Sequence, residues 1–308
     1  MKPAPEKLVP EGPATAMDYP APAAPATDSP ARRAWRQFTK HKLAVAGLIT
    51  IIIIQGLILA APWLAKHDPN RIGVAMPFSA PSADNWLGTD QLGRDVFARL
   101  LYGGRVSFTV GFVSVGIYLI IGVTLGALSG YLGGWFDMAV QRITETVMTL
   151  PTILIVVTVV SLVGPSVYNI FLAIGLLGWP GVCRIVRSEF LSLRERDFVT
   201  AAKASGASTG RIVFRHILPN ALGPVIVAGT LGIAGAILLE TSLSFLGLGV
   251  QPPTPSWGNM LMEASRVSVL EGMPWLWLPP GIAISLSVLS FNFVGDGLRD
   301  ALSPRTMR

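Results

Sequence analysis

Apolar positions in this chain come in long unbroken blocks rather than in alternation. No Asp, Glu, Lys or Arg occurs in Leu43–Ala65, Val106–Phe136, Thr146–Cys183, Ile217–Leu239 or Gly272–Gly295. Crossing the hydrocarbon core of a bilayer takes about 20 apolar residues in a helix. Four of the blocks hold one crossing helix each. The longest, Thr146–Cys183, holds two, folded back at Gly164-Pro165-Ser166, where Gly and Pro together signal a turn. The pattern predicts an all-α polytopic membrane protein with six transmembrane helices.

The polar segments between the blocks carry their own signals. Residues 1–30 contain eight Pro and seven Ala with almost no aromatic content. Such a segment cannot bury enough apolar surface to offset chain entropy and reads as a disordered tail. The stretch Arg32–Lys42 is basic and suits a place on anionic headgroups. An export signal is conceivable there, but the apolar block that follows is too long for a signal core, and the first span is expected to be kept rather than cleaved. From Thr89 the loop before the second block reads as an amphipathic helix. Asp90/Arg94 and Asp95/Arg99 form acid-before-base pairs on it, and Leu92, Val96, Phe97, Leu100 and Leu101 share a face. Gly122, Gly126 and Gly130 repeat every four residues, a spacing that lets two helices approach closely in lipid, here within one chain. Gly229, Gly232 and Gly235 follow at three-residue spacing.

Composition agrees with a membrane chain: 51% of residues are hydrophobic and 14% charged, where soluble domains carry about 25% charged. A net charge of +6 raises the question of nucleic acid. The basic residues follow topology instead. With the amino terminus inside and six alternating spans, inner segments hold 18 of the 24 Lys and Arg. That bias is the positive-inside rule and places both termini in the cytoplasm. Cys183 is the only cysteine, the three histidines are scattered, and no Gly-Lys pair exists to build a phosphate loop. The chain is expected to be no enzyme and to hold no cofactor or metal of its own.

Chemistry-bearing candidates fall in two places. Thr200-Ala201-Ala202-Lys203-Ala204-Ser205-Gly206 is a small-residue helix with a glycine stop, set in a basic loop and followed by Leu218-Pro219. Alanines let another surface approach the backbone, and Gly206 can take the left-handed conformation that ends a helix. Asp197 is expected to cap a short helix Phe198–Ser205, with Ser208 or Thr209 starting the next. The second place is the far end of the fifth block. Glu240 is the one acidic residue set well within apolar surroundings, a candidate for the pathway or for a hydrated structural role. Beyond it, Pro252-Pro253-Thr254-Pro255 is a stiff run expected either to present Trp257 to a docking protein or to form a lid.

These residues carry a family resemblance. Both alanines, Gly206, Leu218 and Pro219 fall in register with the EAA loop of ABC importer permeases, while Thr200 and His216 depart from it. With Gly88–Gly104, Leu243–Gly258 and Phe291–Arg305, the chain from about Arg32 to Arg305 resembles the C-type permease of dipeptide and oligopeptide ABC importers. The resemblance implies a type I importer permease fold in a bacterial cytoplasmic (inner) membrane. It divides the chain into a tail (1–31), an N-terminal segment (32–104), a permease core (105–298, with the EAA loop at 184–219) and a cytoplasmic tail (299–308). It implies a homologous second permease, two ATPase subunits holding ATP and Mg²⁺, a periplasmic or lipid-anchored binding protein and surrounding lipid, with no nucleic acid. ATPase coupling is then expected from Asp197, Thr200, Ala201, Ala202, Gly206, Arg211, Leu218 and Pro219, and an outer gate or pathway role from Glu240 and Trp257. The alternative, an ion-coupled secondary transporter, favours several intramembrane titratable groups and often inverted repeats. One carboxylate and no convincing repeat are present.

Overall fold

The computed structural model describes residues 29–302; residues 1–28 of the expected tail (1–31) and the last residues, 303–308, lie outside them. Pro30 and Ala31, placed in the tail by sequence, are already helical. Helix α1 (Pro30–Lys40) starts where Ser29 Oγ accepts from Arg32 N and Pro30 takes the first turn. Its Phe38 is buried with Ala44, Val294 and Ala301. His41 Nδ1 then caps α2 (Lys42–Leu59), accepting from Ala44 N at 3.1 Å.

Five helices are long and apolar enough to cross a membrane: α2, α4 (Val96–Leu132), α7 (Val167–Leu193), α9 (Thr209–Phe245) and α12 (Pro274–Leu302). Short helices fill the connections: α3 (Ala61–Leu64), α8 (Asp197–Ala204), α10 (Trp257–Leu261) and α11 (Val267–Gly272). No strand occurs among the described residues, only an isolated bridge between Thr89 and Asp95.

The third expected span is different. Helices α5 (Gly134–Thr149) and α6 (Thr152–Val163) are bent by 86° at Leu150-Pro151. Helix α6 has 12 residues, a length of about 18 Å, too short for a hydrocarbon core of about 30 Å. Only together, as one bent unit, are the two long and apolar enough to count toward a sixth crossing. Pro151 has no N–H to continue the ladder, and Thr146–Thr149 belong to the helix before it, not to the crossing segment.

The loop before α4 also departs from expectation. Residues Thr89–Asp95 form a tight non-helical hook, and the helix begins only at Val96. Asp95 caps it through Oδ1, which accepts from Phe97 N at 2.8 Å and Ala98 N at 3.2 Å. It is therefore no partner for Arg99, whose Nε lies 3.5 Å from Asp90. The expected Asp90/Arg94 pair does form, at 2.6 Å. Helix α4 then runs on for 37 residues, so the expected loop helix and the second span are one rod.

Packing follows the small residues. Gly122, Gly126 and Gly130 set the α4–α7 seam: a Cβ on them would fall 2.9 Å from Trp179 O, 2.6 Å from Cys183 O and 2.7 Å from Arg187 O. These contacts lie within the chain. Gly229 faces Leu119 of α4, while Gly235 has nothing within 4 Å. The core along this seam is made by Val110, Val156, Ile170, Val186 and Phe190. Alternating direction leaves α8 at one end of the bundle, the loop end, and the 60–95 and 246–273 connections at the other, the cavity end.

Candidate functional site

At the loop end, α8 and the start of α9 make a short helical hairpin. Helix α8 spans Asp197–Ala204, one residue earlier than expected. Arg196 holds the cap position and Asp197 is the first helical residue, its side chain capping nothing. Its charge still suits the positive end of the helix dipole. The stop is as the sequence implied. Gly206 has φ +75°, and the reversal is closed by Ala207 N donating to Ala202 O and Gly206 N to Lys203 O, both at 3.0 Å. Ser208 precedes the next helix, though its side chain makes no capping bond.

What faces where decides what the hairpin can do. Val199 is fully buried, and half-buried Ala202 and Ala207 pack in the same core, which takes in Ile212 and Val213. Thr200, Ala201, Lys203, Ala204 and Ser205 are exposed, as is Phe198. Ala202, expected with Ala201 at the ATPase contact, packs half-buried against its own chain. Val199 and Ala202 are three apart and share a helix face, which leaves Ala201 pointing away. The sequence reading missed Phe198, whose place beside the small residues makes it part of the outward surface.

Helix α8 is joined to a lever. Helix α9 runs 37 residues without a break and begins with exposed Thr209 and Arg211. Pro219 lies within it, and a π-helical stretch, Ile212–Ile217, precedes the proline. Pro219 offers no N–H to the Arg215 carbonyl, and the wider turn, with Leu218 N donating to Val213 O, absorbs that loss. Leu218 is half-buried and Pro219 exposed. The Leu-Pro pair therefore marks a defect inside one helix rather than its start.

A second feature at this end was not legible. Asp137 of α5 takes a bidentate pair from Arg187 of α7, at 2.5 and 2.6 Å, and also accepts from Ser129 of α4. Arg194 reaches Gly130 O at 3.1 Å. This clamp ties three helices together next to the α7–α8 junction. Its partners lie far apart in sequence, with no periodicity to connect them.

At the cavity end, Glu240 is fully buried. Its Oε2 accepts from Ser107 of α4 at 3.0 Å and its Oε1 from Ser244 at 2.7 Å. Ser107 Oγ in turn accepts from Trp257 N, and Ser244 Oγ from Val250 N. The carboxyl thus knots α4, α9 and the 250–257 connection, and within this chain it lines no open path. Trp257 is buried too, 2% exposed, edge-on to Phe108 with its Nε1 donating to Leu100 O at 2.8 Å. It is not presented outward: it is the plug that seats the connection, so the lid arrangement is the one observed. Ser256 and Asn259 lock it with a reciprocal capping box.

Beside this knot is a cavity of about 230 Å³ between the Asp90 hook, the end of α9 and the 250–263 segment. Asp90, Arg94, Arg99 and Glu263 line it. Burial pushes the Glu263 carboxyl above its usual range; Asp90 adds to the rise, and Arg266, Arg94 and Arg99 oppose it.

Long apolar helices in one bundle, with a small-residue helix at one end and polar closure at the other, define a multi-pass membrane protein. Comparison with known proteins gives the family. Residues 122–308 match the model of the binding-protein-dependent transport system inner membrane component, and residues 29–83 that of the N-terminal TM domain of oligopeptide transport permease C. The dipeptide transport system permease protein DppC of Alkalihalophilus pseudofirmus is 46% identical over 277 residues, 90% of either chain. The di/tripeptide transport system permease protein DppC of Pseudomonas aeruginosa is 40% identical over 294 residues, 92% of this chain and 96% of its own. The glutathione transport system permease protein GsiD of Pectobacterium atrosepticum is 39% identical over 278 residues, 90% and 92%. Among solved structures, an inward-facing form of the MetNI methionine ABC transporter matches with a TM-score of 0.54 at 19% identity, covering 67% of this chain and 96% of that one. The chain belongs to the binding-protein-dependent inner membrane component family, with the fold of an ABC importer permease. It is a permease subunit, not an ion-coupled carrier.

Proposed function

We propose that this chain forms half of the translocation path of an ATP-driven peptide importer, coupled through α8 to an ATPase subunit that holds ATP and Mg²⁺. The observation that carries this reading is the loop-end hairpin. A short helix is fixed to its own chain through Val199 and Ala202, turned by Gly206, and continuous with the start of a 37-residue spanning helix. A push on its outward face, Phe198 and Ala201, is passed to α9 as rigid-body movement. A homologous second permease completes the path, a second ATPase serves it, and a periplasmic or lipid-anchored binding protein delivers the peptide at the cavity end. Peptide as cargo rests on the names of relatives at 40–46% identity.

The loop end faces the cytoplasm in this reading, with both termini inside and the membrane a bacterial inner membrane. Support comes from the 18 of 24 Lys and Arg that fall in the segments at that end. The domain division into 32–104 and 105–298 is kept as a functional one, the second part carrying the path and the coupling loop. The test is purification of the chain with its partners and reconstitution in proteoliposomes. ATP-dependent uptake of a radiolabelled dipeptide, requiring the binding protein, is expected. Uptake driven by an ion gradient without ATP would contradict the proposal.

A further inference from the structure

The cavity beside the Glu240 knot contains a charge arrangement with one member left over. Asp90 is engaged at both oxygens: Arg94 Nε lies 2.6 Å and Arg99 Nε 3.5 Å from Oδ2, and Oδ1 accepts from Leu92 N and Arg94 N. Arg99 is held further by Nη1 donating to Pro69 O at 3.1 Å and Pro253 O at 3.4 Å. Glu263 differs. Its Oε2 is shielded from solvent and has no hydrogen-bond partner in the described structure. A buried acceptor left unmade costs about 1–3 kcal/mol and more when charged. Native proteins satisfy nearly all such atoms, with water, an ion or a ligand where the chain itself supplies no partner.

The chemistry of that partner follows from the surroundings. An anion is disfavoured by Glu263 itself. A metal ion lacks ligands, since among the described residues no group of three His, Cys, Asp or Glu is placed to hold one. A group bearing N–H donors and positive charge fits, and a primary ammonium brings three donors. Two arginines and two carboxylates make the lining neutral overall, so a zwitterion adds no net charge to it. At about 230 Å³ the space is below that of a drug-sized site. It suits a dipeptide or one end of a longer peptide.

We propose that this cavity captures the amino-terminal ammonium of a peptide, with Glu263 as counter-ion and Arg94 on the side of the peptide's carboxylate. This rests on the peptide-import reading and deepens it: the chain itself holds a recognition point at the cavity end, apart from the binding protein. Asp90 and Arg99 are positioning residues that hold Arg94 and the hook in place.

The test uses the assembled transporter in nanodiscs without binding protein, with dialanine as probe in saturation-transfer NMR. Glu263→Gln, which keeps size and removes charge, is expected to weaken dialanine binding about tenfold or more. Glu263→Asp is expected to bind more tightly than the Gln variant. N-acetyl-dialanine, lacking the ammonium, is expected to bind the native complex as weakly as dialanine binds Glu263→Gln. Equal binding of dialanine to the native and Gln forms overturns the proposal, as does equal binding of acetylated and free peptide. Absence of any dialanine signal on the native complex also overturns it, leaving water or a partner protein's side chain as the occupant. Binding-protein-dependent uptake of labelled dialanine on the same preparation separates the two readings. Uptake without direct binding removes this site and leaves import standing, whereas no ATP-driven peptide uptake removes import itself.

Discussion

Replacing Gly126 by Ala tests whether close backbone contact sets the α4–α7 seam. The new methyl would sit 2.6 Å from Cys183 O, 2.9 Å from Val186 Cβ and 3.2 Å from Arg187 N. Two of these are backbone atoms of a neighbouring helix and cannot rotate away, so α4 and α7 must separate locally. Overpacking of this kind costs about 1–3 kcal/mol. Alanine also favours helix over glycine by about 1 kcal/mol, which obscures the effect. Gly116→Ala removes that ambiguity: it lies on the same helix, and its methyl meets nothing within 4 Å. The propensity gain is common to both variants, so their difference isolates the overpacking of about 1–3 kcal/mol. At about 2–4 °C per kcal/mol for a domain of this size, Gly126→Ala should melt roughly 2–12 °C below Gly116→Ala. Thermal scanning of the purified permease in one detergent, followed by tryptophan fluorescence, reads the gap. Equal midpoints, or a higher one for Gly126→Ala, would refute the close-contact account of this seam.

Three other predictions concern the ends of the bundle. In a Cys183→Ala background, an impermeant thiol reagent added to sealed cells should label cysteines placed at exposed Ser82 and Ser268 and spare one at exposed Ser208; labelling at Ser208 would reverse the topology. Trp257→Ala removes a buried ring and its bond to Leu100 O, a loss of about 3–5 kcal/mol. It should lower the yield of folded chain, whereas full yield with selective loss of binding-protein stimulation would restore a docking role. Capture of dialanine at Glu263 should weaken as pH falls. Burial raises that carboxyl, so the charge that holds an ammonium is lost at a higher pH than for an exposed glutamate. A flat binding profile down to the range where exposed carboxylates titrate would contradict it.

The spans were legible because lipid demands long apolar runs, and the blocks beginning at Leu43 and Gly272 lie on the helices observed. The lengths of α4 and α9 were not, because a charged residue looked like an end. Arg105 interrupts the run, yet its guanidinium donates to the carbonyls of Ile58 and Leu59, at 2.9 and 3.0 Å, and so closes the C-terminal end of α2. Arg99 is likewise absorbed by Asp90 and two loop carbonyls. Hydropathy alone carried no sign of the 86° bend at Pro151. At the coupling loop the glycine stop was readable from local chemistry, since Gly206 needs a positive φ. The outward face was not, because which alanine packs inward depends on Val199 and its fit against Ile212 and Val213. Trp257 and Glu240 drew attention for their residue types. Their burial depended on Ser107 and Ser256, partners unremarkable in sequence.

The coupling role of α8 is tested most directly by Ala201→Trp, measured as the stimulation of ATP hydrolysis by peptide-loaded binding protein in the reconstituted complex. Ala201 is exposed on the outward face, and its own chain packs through Val199 and Ala202. The substitution therefore leaves the permease fold intact and places a large ring where another subunit is to sit. The account predicts normal insertion and pairing of the permeases with loss of stimulated hydrolysis and of uptake. Native levels of stimulated hydrolysis and uptake in this variant would contradict the claim that α8 transmits the power stroke.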